Sequence, residues 1–308
     1  YAEGYPGNRY YGGCEVVDEV EKIAIERACS LFNAKYANVQ PHSGSQANAI
    51  AYRALLPNGG KVLSLVLNDG GHLTHGSPVS FSSHFYEFVH YPLDKEGKLD
   101  YNVILEVAKQ EKPDLLLAGY SAYPYAIDFK KLKEICDEVG CLFMVDMAHI
   151  AGLIAGGKHQ NPVDYADVVT STTHKTLRGP RGGLVLTNND KLIKKINSAA
   201  FPFYQGGPFE HIIAGKAICF KEASTDEFKQ YAANVIENTK ACRDSLKEMG
   251  AIVSGTDNHL FLLNTLDSYH ITGKEAQKML EEINITTNKN MIPNDTLSPK
   301  ETSGLRIG

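Results

Sequence analysis

Lys175 stands in Thr172-Thr173-His174-Lys175-Thr176, a segment that closes an apolar run and opens into a loop rich in glycine and arginine, Arg178 to Gly183. A lysine amine becomes a nucleophile toward aldehydes when packing and nearby cations lower its pKa, so this setting suits Schiff-base chemistry. Alone, a lysine after a strand is ordinarily a solvated loop residue. Asp146 follows Leu142-Phe143-Met144-Val145, which places a carboxylate at the end of a buried strand, where it needs a cationic partner. A lysine or arginine would serve, and so would a protonated pyridine nitrogen. Ser43-Gly44-Ser45 offers free N–H groups, two hydroxyls and a positive helix end, which suits a phosphate as well as a plain helix cap.

Other residues could join these. His72 has a flat ring that can stack on an aromatic face or exchange protons. Its spacing from His75 raises metal binding, but no carboxylate or cysteine nearby in the sequence completes a ligand set, and no metal is expected. His149 can hold Asp146 or a cofactor, or be a satisfied structural histidine. Arg306, between Leu305 and Ile307, is expected on a strand with its guanidinium in a cleft, where it can grip a carboxylate or form a surface salt bridge. Gln205-Gly206-Gly207-Pro208 is a tight turn whose backbone can approach an anion.

The elements that must position these groups alternate between strand and helix. Apolar spacing of Val16, Val20, Ile23, Ala24, Ala28 and Leu31 predicts an amphipathic helix over Glu15 to Phe32. Ser43 and Gln46 form a capping-box pattern before a helix over Ala47 to Leu56. Strands are predicted at 36–39, 62–67, 85–89, 115–118, 142–145, 168–172 and 183–187, with helices at 101–110 and 129–139 among them. The fold class is therefore α/β, a mainly parallel sheet flanked by helices, with ligands beyond the carboxyl ends of its strands. From about Glu222 the rhythm gives way to a charged helical stretch, 226–247, and short strand-like pieces near Ile252 and Phe261. This predicts a large domain over 1–222 and the start of a smaller α/β domain over 223–308. The first residue is Tyr1 rather than Met, and Leu305 to Gly308 stop in mid-pattern, so both domains are expected to be cut short.

At 308 residues and 43% hydrophobic content the chain can bury a large core. A net charge of -5 provides no general basic field, which argues against nucleic acid or an anionic membrane as primary partner. No apolar run approaches the roughly 20 residues of a membrane span. The six cysteines show no zinc-like spacing and fit reduced thiols in the cytoplasm.

A phosphate turn, a strand-ending aspartate and a later lysine fall in the order that a pyridoxal 5'-phosphate enzyme of the aspartate aminotransferase fold needs. At finer grain the chain resembles the serine hydroxymethyltransferases. The resemblance is carried by Tyr1 to Gly7, Arg9 to Gly13, Gln40 to Asn48, Gly70 to Pro78, Val145 to His149, Thr172 to Thr176, Gly179 to Gly183 and Asp257 to Phe261. It implies interconversion of serine and glycine, with the one-carbon unit passing to tetrahydrofolate. It further implies that Lys175 binds the cofactor covalently, with Asp146 on the ring nitrogen, His72 stacked on the ring, and Ser43, Gly44 and Ser45 on the phosphate. Ser121 and His149 would meet the phenolic oxygen, Arg306 the substrate carboxylate, and His174 would influence specificity. Glu3 would be the acid–base glutamate, accompanied by Tyr1 and Tyr11. The opening loop and Gly206-Gly207 would reach a neighbouring subunit's site, making a homodimer the minimal unit and leaving a tetramer open. Leu67, Gly71, His72, Leu73, Asn294, Ser298, Pro299 and Lys300 match folate-contacting positions, with Lys300 where an aromatic residue is common. A folate-independent aldolase of β-hydroxy amino acids is the nearest rival, and a non-catalytic scaffold of the same fold a more distant one.

Overall fold

A computed structural model describes residues 1–308. Seven strands form the main sheet: β1 (Tyr36–Asn38), β2 (Lys61–Leu65), β3 (Glu87–Tyr91), β4 (Leu115–Ala118), β5 (Leu142–Asp146), β6 (Val168–Thr172) and β7 (Gly183–Thr187). Their spatial order is β1-β7-β6-β5-β4-β2-β3. The five strands from β6 to β3 run parallel, while β7 and β1 are antiparallel to their neighbours. The central strands are apolar on both sides because both faces are covered. Leu115 and Leu117 point into one core, with Ile50 and Tyr52 of a helix α2 (Gly44–Leu55). Leu116 and Ala118 point into the other, with Ala24, Ala28 and Phe32 of a helix α1 (Glu15–Phe32) and Ile213 and Phe220 of the helix Glu210–Ala223.

A second sheet holds β8 (Ile252–Val253), β9 (Phe261–Asn264), β10 (Asn288–Asn290) and β11 (Gly304–Ile307) in the order β8-β9-β11-β10, all antiparallel. Leu263 and Leu305 pack there with Ala276 of the helix Gly273–Glu282. The helix Asp226–Glu248 bridges the two cores: Phe228 and Ala232 belong to the large one, and Leu246 rests on the small one.

Several expectations need correction. In α1 the buried face is Glu21, Ala24, Ala28 and Phe32, whereas Val16 is 77% exposed. Alanines let α1 lie close to the helix Glu210–Ala223, and Arg9 makes the buried Glu21 tolerable. α2 begins at Gly44, three residues earlier than predicted; Ser43 Oγ caps Gln46 N at 3.2 Å, but the reciprocal bond from the Gln46 side chain is missing. β2 ends at Leu65 because Leu67–Asp69 curl into a 3-10 turn closed by Gly70 at φ +107°. β3 starts at Glu87, since Ser82–Phe85 complete a helical turn first. The helix Glu210–Ala223 was not anticipated, because its apolar residues spread around the helix instead of forming a stripe.

Candidate active site

β5 ends in the Asp146 carboxylate, and its neighbour β6 ends just before the loop that carries Lys175, so both groups leave the sheet at one edge. α2 begins at the same edge. Gly119, which follows β4, has φ +99°, and a Cβ there would stand 1.9 Å from the Asp146 carbonyl oxygen. Its absence lets the Ser121 loop close onto Asp146. At Gly44 a Cβ would lie 2.6 Å from Thr172 Cγ2, so glycine lets the start of α2 rest against the end of β6. Between these ends lies a small, largely enclosed cavity, lined in part by Gly44, His72, Ser121, Asp146, His149 and Lys175. A more open cleft beside it shares His149 and Lys175 and adds His259 and Arg306.

Asp146 is the hub of a buried network. Its Oδ2 accepts from Asn48 Nδ2 at 2.8 Å and lies 3.2 Å from His75 Nε2, while Oδ1 accepts from Ala148 N at 3.0 Å. Burial alone would raise its pKa, but His75, His72 and the Asn48 amide outweigh that and hold the carboxyl well below the usual range. Asn48 is oriented by Thr170 Oγ1, which donates to its Oδ1 at 2.6 Å, and its amide also donates to Thr74 Oγ1 at 2.8 Å. Thr74 Oγ1 in turn lies 2.7 Å from His72 Nδ1, which also accepts from Thr74 N at 3.2 Å. His72 therefore carries its proton on Nε2, and burial pushes its pKa down to about 4.

The fold thus supplies the carboxylate that sequence spacing did not place beside His72 and His75, since ligand atoms of these three residues lie within 4.8 Å of one another. Their contacts form a hydrogen-bonded acid–base cluster, in which His72 Nδ1 is already engaged by Thr74.

Lys175 Nζ lies 3.0 Å from His149 Nε2. Burial, reinforced by Arg306, lowers the lysine pKa, and burial together with Lys175 pushes His149 well below its ordinary value. His149 Nδ1 is 3.4 Å from His259 Nε2. Arg306, on β11, donates from Nη1 to the Ser121 carbonyl at 2.8 Å, and no carboxylate of the chain pairs with it. His174 lines neither space; its Nδ1 is buried without a partner, and burial followed by Arg181 lowers its pKa.

These residues fit pyridoxal phosphate on chemical grounds. The cavity joins an amine of lowered pKa to a buried anion, a neutral imidazole face and the start of a helix. Thr172 Oγ1, on the cavity wall, is buried with no hydrogen-bond partner of its own.

Other sequence candidates lie elsewhere. Glu3, Tyr1, Tyr11, Gly206 and Gly207 line neither space. Glu3 instead abuts Gly207, where a Cβ would meet its Oε1 at 3.1 Å, and its Oε2 is buried and unpartnered. Tyr1 is 98% exposed, its ring edge-on to Tyr11 at 5.5 Å. Leu67 and Leu73 are exposed, and Gly71 is needed because a Cβ would stand 2.4 Å from the Leu65 carbonyl oxygen. Asn294, Ser298, Pro299 and Lys300 lie on an exposed loop outside the Lys175 cavity. The Lys300 carbonyl accepts from Lys289 Nζ at 2.6 Å.

Sequence reasoning did not assign roles to Asn48, His75 or His259. A buried asparagine among alanines on α2 was the available signal for the first, while the other two emerge only from the packing.

A family model described as serine hydroxymethyltransferase matches residues 1–308. A protein of Mycoplasmopsis synoviae (strain 53) named serine hydroxymethyltransferase is 56% identical over 310 residues, covering 100% of this chain and 74% of that protein.

Proposed function

The chain belongs to the serine hydroxymethyltransferase family, and from that premise we propose how its residues divide the interconversion of serine and glycine. Members of the family generally depend on pyridoxal phosphate and use tetrahydrofolate as co-substrate. The observation that carries the assignment is the 3.0 Å approach of Lys175 Nζ to His149 Nε2 in the cavity that also holds Asp146.

Lys175 would hold the cofactor through its aldehyde, because its lowered pKa leaves more free amine near neutral pH. His149, kept neutral by burial, is placed to accept a hydrogen bond from that amine and orient it. Asp146, held ionised, would face the ring nitrogen and favour its protonated form, while the Asn48 and His75 contacts hold its carboxylate in one orientation. His72 covers a face of the ring as a neutral imidazole. Ser43, Gly44 and Ser45 take the phosphate at the start of α2. Arg306 binds the serine carboxylate, for which no side chain of the chain competes. When bound, pyridoxal phosphate supplies the electron sink for the pair left on Cα as the Cα–Cβ bond of serine opens.

Glu3, Tyr1, Tyr11 and the Gly206-Gly207 turn serve the cavity of a second copy in a homodimer; that none of them lines the Lys175 cavity of their own chain supports this. Glu3 there holds or moves the proton of the serine hydroxymethyl group. Leu67, Gly71, Leu73 and the Asn294 to Lys300 loop receive the folate. The division near residue 222 into a cofactor domain and a smaller domain belongs to the same proposal. So does a cytoplasmic location, which the six free cysteines support. No helix is long and apolar enough to cross a membrane.

The test is serine-dependent formation of methylenetetrahydrofolate by the full-length protein, beside borohydride trapping of the cofactor. Lys175→Ala is expected to abolish the trapped adduct. An adduct that persisted on another lysine would overturn the assignment, and rapid threonine cleavage with folate-indifferent serine turnover would favour an aldolase.

A further inference from the structure

Lys216, on the helix Glu210–Ala223, is 1% exposed, and its ammonium bonds only to backbone. It donates to the carbonyls of Val39 at 2.6 Å, Gly183 at 2.8 Å and Pro41 at 3.2 Å. An interior ammonium is costly unless its donors are all used, and here three donors meet three acceptors.

The acceptors are informative. Residues 39–42 run irregularly from the end of β1 to the Ser43-Gly44-Ser45 turn, buried for most of their length. Their carbonyls lack strand partners and need other donors. Gln205 Nε2 donates to the Gln40 carbonyl at 3.0 Å, and Gly183 N donates to that of Pro41 at 2.9 Å. Lys216 supplies the bond to Val39 and a second one to Pro41. Gly183 is also where the chain re-enters the sheet after the Lys175 loop. A Cβ on Gly183 would stand 2.3 Å from the Ser43 carbonyl oxygen, and one on Gly182 would stand 2.5 Å from Lys216 Cε. One ammonium thus joins the approach to the Ser43 turn to the exit of the Lys175 loop.

We propose that Lys216 is a positioning residue that sets the spacing between the phosphate-binding turn and Lys175, so that one ligand can meet both. This rests on the assignment of Ser43, Gly44 and Ser45 to the phosphate, and it goes further by naming what holds that turn in place. Lys216 touches neither cofactor nor substrate; it acts through the backbone.

The experiment is a visible-absorbance titration of the full-length apoprotein with pyridoxal phosphate and, separately, with pyridoxal, which has the same aldehyde and no phosphate. Lys216→Met keeps the length of the side chain and removes the donors. It is expected to weaken pyridoxal phosphate at least about tenfold while pyridoxal changes less than about twofold. Equal weakening of both would assign Lys216 to general stability and overturn the proposal, as would no change in either. Should Lys216→Met fail to fold, Gly182→Ala, which displaces the lysine Cε, is read by the same two titrations with the same expectations. The wild-type protein separates the two levels of inference: if it binds both aldehydes equally, the phosphate assignment fails, and the role of Lys216 falls with it.

Discussion

The Lys175 cavity and the opening loop are both rich in buried charge, but they are organised differently. In the cavity, Asp146 shares its charge with Asn48, His75 and the Ala148 amide, and His72 and His149 are kept neutral by burial. In the opening loop, Arg9 is asked to serve three carboxylates: Asp18 at 2.7 Å, Glu21 at 2.6 Å and Glu210 at 3.3 Å. The third is poorly served. Neither oxygen of Glu210 has a well-aligned hydrogen bond, and burial together with Glu21 pushes its pKa up to about 8. In the first region the Asp146 carboxylate finds its partners within one chain. The second anchors the loop firmly yet leaves the buried Glu3 Oε2 without a partner and Tyr1 in solvent, which is consistent with the proposed role of the loop in a second copy.

That contrast can be broken most sharply by mixing. Lys175→Ala and Glu3→Gln proteins should each be nearly inactive, yet unfolding and refolding them together should restore about a quarter of wild-type turnover, because one site in each mixed dimer regains both residues. No recovery would place Glu3 in the site of its own chain. Next in size, Asp146→Asn should lower kcat for serine by about a thousandfold, since the preorganised charge opposite the ring nitrogen is lost. Cofactor spectra recorded alongside would show whether binding survives. Arg306→Lys should raise the KM for serine about tenfold with a smaller effect on kcat, since an ammonium cannot reproduce a bidentate grip on a carboxylate.

The smallest effect is on stability, where the two regions should respond to pH in opposite directions. His72 and His259 have folded pKa values pushed down to about 4, below 6.5 in the unfolded chain. The unfolded state therefore binds more protons between these limits, and stability falls as pH drops from about 6.5 toward 4, by up to about 3 kcal/mol for each histidine. Glu210 has its folded pKa raised to about 8 from 4.5. Its contribution is full below 4.5 and is lost as pH rises through 8. Urea melts across this range check both arms: Glu210→Gln should remove the alkaline decline, and His72→Asn should weaken the acid one.

Much of this was legible in residue order. β4, β6 and β7 fall at the predicted bounds because continuous apolar runs have one stable setting, a sheet covered on both faces. The positions of Asp146 and of the Lys175 loop were legible because each follows such a run and strand ends share an edge, whereas the Ser43 turn was marked by its helix-cap pattern. Boundaries that depend on caps were less so: α2 starts earlier than its apolar pattern because Gly44 and Ser45 can already adopt helical geometry against β6. The helix Glu210–Ala223 escaped notice for the opposite reason, being apolar on more than one side.

By itself, then, the sequence determined the α/β class, the alternation of elements, the family, and which residue types stand at the carboxyl ends of the strands, because these follow from local patterning. Only the tertiary structure decided that Asn48 and His75 share one carboxylate, that a buried lysine on a distant helix bonds to the approach to the Ser43 turn, and that Glu3 does not line the Lys175 cavity of its own chain. Those are contacts between segments far apart in sequence, and no local pattern encodes the distance between two side chains that meet only when the sheet is assembled.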